Sequence, residues 1–253
     1  MSEIEIEYLA SKSGNRLGFK KREGKSPTLV WLCGFHSDMA GQKATAMDEF
    51  ARENGLASLR FDYSGTGTSD GKFEDGTISK WLSESQEMID VNTNGDLILV
   101  GSSMGAWLAI LLAMANCERV KALVLIAPAP DFTEDLMWVT FSDGVKAEIM
   151  EQGYWMRPSP YDAVGYPITK ALIEDGRNNS ILNKSIDYDG IVHILHGCKD
   201  ADVPWQRSPN LMENLNSNNV TLTLIKSGDH RLSEPQDLET LRQVLRQKVR
   251  TIL

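Results

Sequence analysis

The chain has 253 residues, 42% of them hydrophobic and 24% charged, which is enough apolar material for one full α/β core and too little charge for a disordered chain. Its formal net charge of −9 excludes a nucleic-acid protein, because no basic stripe is present to neutralise phosphates. Three cysteines, Cys33, Cys117 and Cys198, form neither a CxxC pair nor a secreted disulfide framework, so they read as small buried hydrophobes of a reducing compartment.

From the N-terminus, Ile4–Leu9 and Arg16–Arg22 alternate apolar and polar residues around Ser13-Gly14-Asn15 and predict an antiparallel hairpin at a sheet edge. Six further strand-like runs follow: Thr28–Cys33, Leu56–Phe61, Asp96–Val100, Lys121–Ile126, Gly190–Leu195 and Val220–Ile225. Most are nearly continuous in apolar residues, as central strands covered on both faces are. Helical periodicity lies between them at Ala44–Glu53, Thr77–Asp90, Ser103–Asn116 and Gln206–Asn214, and a last amphipathic helix starts near Pro235. Strand–helix alternation predicts an α/β fold: a mostly parallel central sheet with helices on both faces. The reading is one domain over residues 1–253. Residues from about Asp131 to Asp187 interrupt the alternation and are rich in Trp, Phe, Tyr and Met (Tyr161 among them). They are expected to form a small helical cap, with helical pieces at Gly144–Gln152 and Ile168–Asp175.

Gly101-Ser102-Ser103-Met104-Gly105 fits G-x-S-x-G between a strand and a helix. On so sharp a turn the glycines let strand and helix approach, and the serine Oγ meets the helix N-terminus, where amides stabilise developing negative charge. Ser103 is the candidate nucleophile; Ser102 is weaker, lacking glycine at the required spacing on both sides. A serine needs a base and the base needs a carboxylate. Behind such an elbow the acid comes next and the histidine last. Of the four histidines, His230 follows a strand through a loop and precedes the last helix, which makes it the base. His193 and His196 are expected to be structural, and His36 lies in an early loop that could touch the site. In His196-Gly197-Cys198-Lys199-Asp200-Ala201-Asp202, Asp200 is the preferred acid and Asp202 the fallback.

A tetrahedral oxyanion calls for two N–H donors. The amide of Met104 is one, and Phe35, in the loop after the first long strand, is expected to supply the other. Tyr63–Gly71 has glycines but the spacing of no phosphate loop, and is read as a structural turn. No HExxH or shared histidine face occurs, so no metal and no cofactor are expected.

With these residues assembled, the segments GFHSDMAGQKATAMDEFA, LRFDYSGTGTSDG, LVGSSMGAWLA, LHGCKDADVPW and SGDHRLSEPQD resemble the α/β-hydrolase superfamily. They resemble most the branch containing the mitochondrial palmitoyl-protein thioesterase and acyl-glucuronide esterase. The likeness runs from about Val30 to Asp237 and is weakest over the first part of the cap. It implies an α/β-hydrolase fold and hydrolysis of acyl esters or thioesters of small molecules or of S-acylated proteins, with Ser103, Asp200 and His230 in the triad positions. Trp138, Phe141 and Trp155 of the cap are candidates for binding the acyl chain, against ordinary cap packing. Peptide or C–C bond hydrolysis by the same triad, and a silent binding scaffold, are the alternatives. Met1–Ala10 is acidic, without the features of a signal or transit peptide, and the longest apolar run, Ala106–Ala115, is about half of a membrane span. A cytoplasmic location and no membrane span are therefore expected.

Overall fold

The computed structural model of the protein describes residues 4–116, 118–159 and 162–253, so Cys117 and Tyr161 lie outside the described residues. Eight strands form the main sheet: β1 (Glu7–Ala10), β2 (Arg16–Arg22), β3 (Lys25–Leu32), β4 (Leu56–Phe61), β5 (Leu97–Ser102), β6 (Val120–Ile126), β9 (Ile191–Gly197) and β10 (Val220–Ile225). Their order across the sheet is β1-β2-β4-β3-β5-β6-β9-β10. β1–β2 and β2–β4 pair antiparallel, and every later pairing is parallel. The predicted edge hairpin and parallel sheet are therefore both present. β5 lies at the centre, its register set by Leu32↔Gly101 on one side and Ser102↔Ile126 on the other. All six of its residues are buried, which explains why its sequence LILVGS shows no alternation.

Helices α1 (Gln42–Asn54), α2 (Ile78–Asn92), α3 (Met104–Ala115), α6 (Arg207–Asn214) and α7 (Pro235–Ile252) connect or follow these strands. α3 is apolar nearly all round because its residues from Met104 to Ile110 are enclosed by sheet and neighbouring helices. α7 starts on Pro235 with a capping box in which Glu234 and Asp237 satisfy each other's backbone N–H groups.

Between β6 and β9 the chain builds the cap. A π turn (Thr133–Met137) and a 3₁₀ turn (Trp138–Thr140) lead into α4 (Asp143–Gln152). An antiparallel pair, β7 (Tyr154–Ser159) and β8 (Asp162–Thr169), then precedes α5 (Lys170–Asn178). The cap is therefore not purely helical, and the helix expected to start at Ile168 starts at Lys170. The Thr169 side chain accepts the Leu172 N–H as its N-cap, so residues up to Thr169 remain free to pair as strand.

Asp131 ties the cap shut at its base. It is buried, with φ +58°, and its carboxylate accepts the N–H of Ile181 (3.0 Å) and Leu182 (2.8 Å) and the hydroxyl of Ser180 (2.7 Å). One side chain thus joins the start of the cap to its end. The indole of Trp107 on α3 donates to the Asn179 carbonyl (3.2 Å) and adds a tie to the sheet side.

Candidate active site

The strand ends carry the site. At the end of β5, Ser103 turns the chain into α3 with φ +55° and ψ −116°, a strained backbone for a residue with a Cβ. The turn is possible because its flanking positions lack side chains. A Cβ on Gly101 would lie 2.3 Å from the Gly105 carbonyl oxygen, and one on Gly105 would lie 2.1 Å from that of Leu32. Ser102 is buried within the strand, whereas Ser103 Oγ faces His230 Nε2 at 3.2 Å.

The other nitrogen of that imidazole meets Asp200, His230 Nδ1 lying 2.7 Å from Asp200 Oδ2. His230 is 23% exposed and the Asp200 side chain is fully enclosed. The loop after β9 wraps around Asp200, so that its Oδ1 accepts the N–H of Asp202 (2.9 Å) and of Val203 (2.7 Å). Burial by itself would raise the Asp200 pKa. Hydrogen bonds from His196 and His230, the charge of His230 and the Val203 amide outweigh burial and hold it well below the usual carboxylate range. Asp202, the alternative acid, is exposed and contributes its backbone N–H. Asp200, Asp202 and His230 could be taken for a metal cluster, since their ligand atoms lie within 4.8 Å of one another. The direct bond between Asp200 and His230 accounts for that closeness.

The loop bearing His230 is anchored from both sides. Asp229 accepts the Leu232 N–H (3.0 Å), and Lys43 on α1 donates its ammonium to the Arg231 carbonyl. Burial, opposed by Asp229, brings Lys43 down to about 8. His193, expected to be structural, bonds Thr223 from within β9, and burial with the nearby Lys248 lowers it to about 4. His196, also read as structural, bonds Asp200 itself (3.2 Å).

The loop after β3 packs against Ser103, since a Cβ on Gly34 would lie 3.5 Å from Ser103 Cβ. Phe35 follows it, and Met104 begins α3; among the described residues neither amide is bonded to another protein group. The Phe35 ring meets Phe73 (5.0 Å between centroids), Phe132 (5.4 Å) and Tyr166 (5.8 Å). His36, at φ +56°, stacks on Tyr166 (5.1 Å), with no hydrogen bond to Ser103, Asp200 or His230 among the described residues. Tyr166 belongs to β8, so the cap hairpin rests directly on the predicted oxyanion loop. Neither Tyr166 nor Phe132 is given a role by the sequence, because no local pattern reports contacts so distant along the chain.

Trp138, Phe141 and Trp155 are half-buried in the cap. Arg177 covers the Trp138 ring at 4.8 Å, and Phe141 meets Trp155 edge-on at 5.3 Å. The Tyr63–Gly71 segment is the structural turn expected: the buried Asp62 carboxylate accepts the Thr68 N–H (2.8 Å) and the Met39 N–H (2.7 Å) and joins it to the loop before α1.

The fold and the proteins that share it define a hydrolase. The family described as serine aminopeptidase, S33, matches residues 26–162, more than half of the chain, and the chain belongs to this branch of the α/β hydrolases. Among its relatives, the mitochondrial palmitoyl-protein thioesterase ABHD10 of Homo sapiens is 38% identical over 226 residues, covering 89% of this chain and 74% of the relative. Two solved structures share the fold closely. A protein from Agrobacterium vitis S4 is 42% identical (TM-score 0.92, 98% of this chain and 99% of the other). The mouse α/β hydrolase domain-containing protein 10 is 35% identical (TM-score 0.90, 98% and 100%). Curated relatives are named mitochondrial, so the cytoplasmic expectation gains no support from them. Among the described residues no helix is long and apolar enough to cross a membrane.

Proposed function

We propose that this chain hydrolyses acyl thioesters and esters through an acyl-serine intermediate, with Ser103 as nucleophile, His230 as general base and Asp200 as the acid that orients it. The observation that carries this reading is the unbroken hydrogen-bonded path from Ser103 Oγ through His230 to Asp200, at 3.2 and 2.7 Å. Ser103 Oγ attacks the acyl carbonyl as His230 Nε2 takes its proton, and the anionic Asp200 stabilises the imidazolium that forms. The Met104 and Phe35 amides receive the oxyanion. Collapse breaks the bond to sulfur or oxygen, and His230 returns the proton to the departing thiolate or alkoxide. Water then attacks the acyl-serine with His230 again as base, releasing the acid and restoring Ser103. No cofactor takes part in these steps.

For the substrate we propose a fatty acyl thioester, carried by a small molecule or by an S-acylated protein. The support is the relatives named palmitoyl-protein thioesterase and the aromatic cap, in which Trp138, Phe141 and Trp155 would flank the acyl chain. The family description, serine aminopeptidase, favours peptide hydrolysis as the second reading. A panel of thioesters and p-nitrophenyl esters from acetyl to palmitoyl, with aminoacyl arylamides beside it and Ser103→Ala as blank, separates the two. Serine-dependent turnover peaking on long thioesters is expected. Turnover confined to arylamides would replace the thioesterase reading, and failure of an active-site phosphonate to label Ser103 would leave a binding scaffold.

A further inference from the structure

Asp200 Oδ2 receives two histidines. One is His230, through Nδ1 at 2.7 Å; the other is His196, through Nε2 at 3.2 Å. His196 lies near the end of β9, four residues before the acid, and is completely buried. The same Nε2 lies 3.0 Å from the Val203 carbonyl oxygen, which can only accept, so Nε2 carries the hydrogen and shares it between Val203 and Asp200. Nδ1 is then the acceptor for the hydroxyl of Ser208 on α6, at 2.6 Å. Both ring nitrogens are therefore spoken for, and the ring is clamped between strand, acid loop and following helix.

We propose that His196 is a positioning residue of this site: its Nε2–H fixes the Asp200 oxygen that faces His230 and limits how strongly that oxygen holds the imidazolium. The proposal rests on the Ser103–His230–Asp200 reading. Two effects follow. With only one donor, Oδ2 could pivot about the Oδ1 anchor formed by the Asp202 and Val203 amides, and His230 would lose its aim at Ser103. The second donor also draws negative charge from Oδ2, so removing it makes Asp200 a better acceptor and His230 easier to protonate. The other charged groups around His230 are Asp202, Asp229, Arg231 and, through the Arg231 carbonyl, Lys43. None of them changes in a His196 variant.

The test compares His196→Phe, which keeps a ring and loses both nitrogens, with His196→Gln, which can return an N–H donor to Asp200. Active sites are counted by phosphonate labelling, so kcat refers to competent molecules only. In His196→Phe, kcat is expected to fall roughly ten- to a hundredfold with little change in KM. The acid limb of kcat/KM is expected to move to higher pH by about half a unit or more. His196→Gln should recover most of both. Unchanged kcat per labelled site and an unchanged pH profile in His196→Phe would overturn the proposal. A wild-type protein that takes no label at Ser103 would instead defeat the reading of the site on which it rests. Should His196→Phe not fold, ¹⁵N NMR of the four wild-type histidines decides: His196 is expected with its hydrogen on Nε2, and an Nδ1–H tautomer would overturn the proposal.

Discussion

Replacing Asp131 by alanine should release the cap from the sheet. The carboxylate is buried, and its removal leaves the Ile181 and Leu182 amides and the Ser180 hydroxyl without their acceptor. A buried donor left unsatisfied costs about 1–3 kcal/mol, and the hydroxyl can turn to another acceptor, so the two amides set the loss at about 4 kcal/mol. Alanine at φ +58° adds about 1 kcal/mol, because its Cβ crowds the following carbonyl. At about 2–4 °C per kcal/mol for a chain of this size, the melting temperature should drop by roughly 10–20 °C. Asp131→Asn keeps one acceptor and a residue that tolerates the left-handed backbone, and should cost roughly half as much. Thermal and denaturant unfolding measure the loss, and hydrogen exchange shows whether amides of the cap open first. An alanine variant within about 1 kcal/mol of wild type, with cap exchange unchanged, would refute the clamp.

Acid stability should depend on His193. Its folded-state pKa of about 4 lies below the ordinary 6.5, so between those values the unfolded chain binds the extra proton. Stability should therefore fall as pH drops from about 6.5 to about 4, and His193→Gln should flatten that slope in denaturant titrations; an unaltered slope contradicts the assignment. Tyr166→Ala removes the ring on which His36 and Phe35 rest and is expected to lower kcat more than it raises KM, by loosening the predicted oxyanion loop. A pure KM effect would assign Tyr166 to substrate binding instead. Gly105→Ala places a methyl against the Leu32 carbonyl and should cost at least a hundredfold in activity, through a displaced elbow; near-normal turnover would show that the turn is not under the constraint described.

The order of elements and the candidate site were largely legible in the chain because both are written locally. Continuous apolar runs such as Leu97–Val100 identify strands covered on both faces, and the elbow combines a strand, a serine between glycines and a helix within twenty residues. The order Ser103, Asp200, His230 likewise needs only the positions of strand ends. The cap was less legible. Its hairpin at Tyr154–Thr169 contains Pro158, Pro167 and Gly165 and few alternating apolar residues, so its pairing draws on partners outside the segment.

What the sequence alone determined is therefore the fold class and the sheet's central strands, with three candidate residues marked at their ends. Each of these follows from the chain's immediate neighbourhood: hydrophobic periodicity, backbone freedom at glycine and the chemistry of one side chain type. Only the tertiary structure decided that Asp131 binds residues 180–182, that Tyr166 supports the loop of Phe35, and that His196 shares an oxygen with His230. Those roles belong to pairs of groups brought within hydrogen-bond or ring-contact distance by folding. A buried histidine or aspartate looks the same in sequence whatever partner the packing gives it.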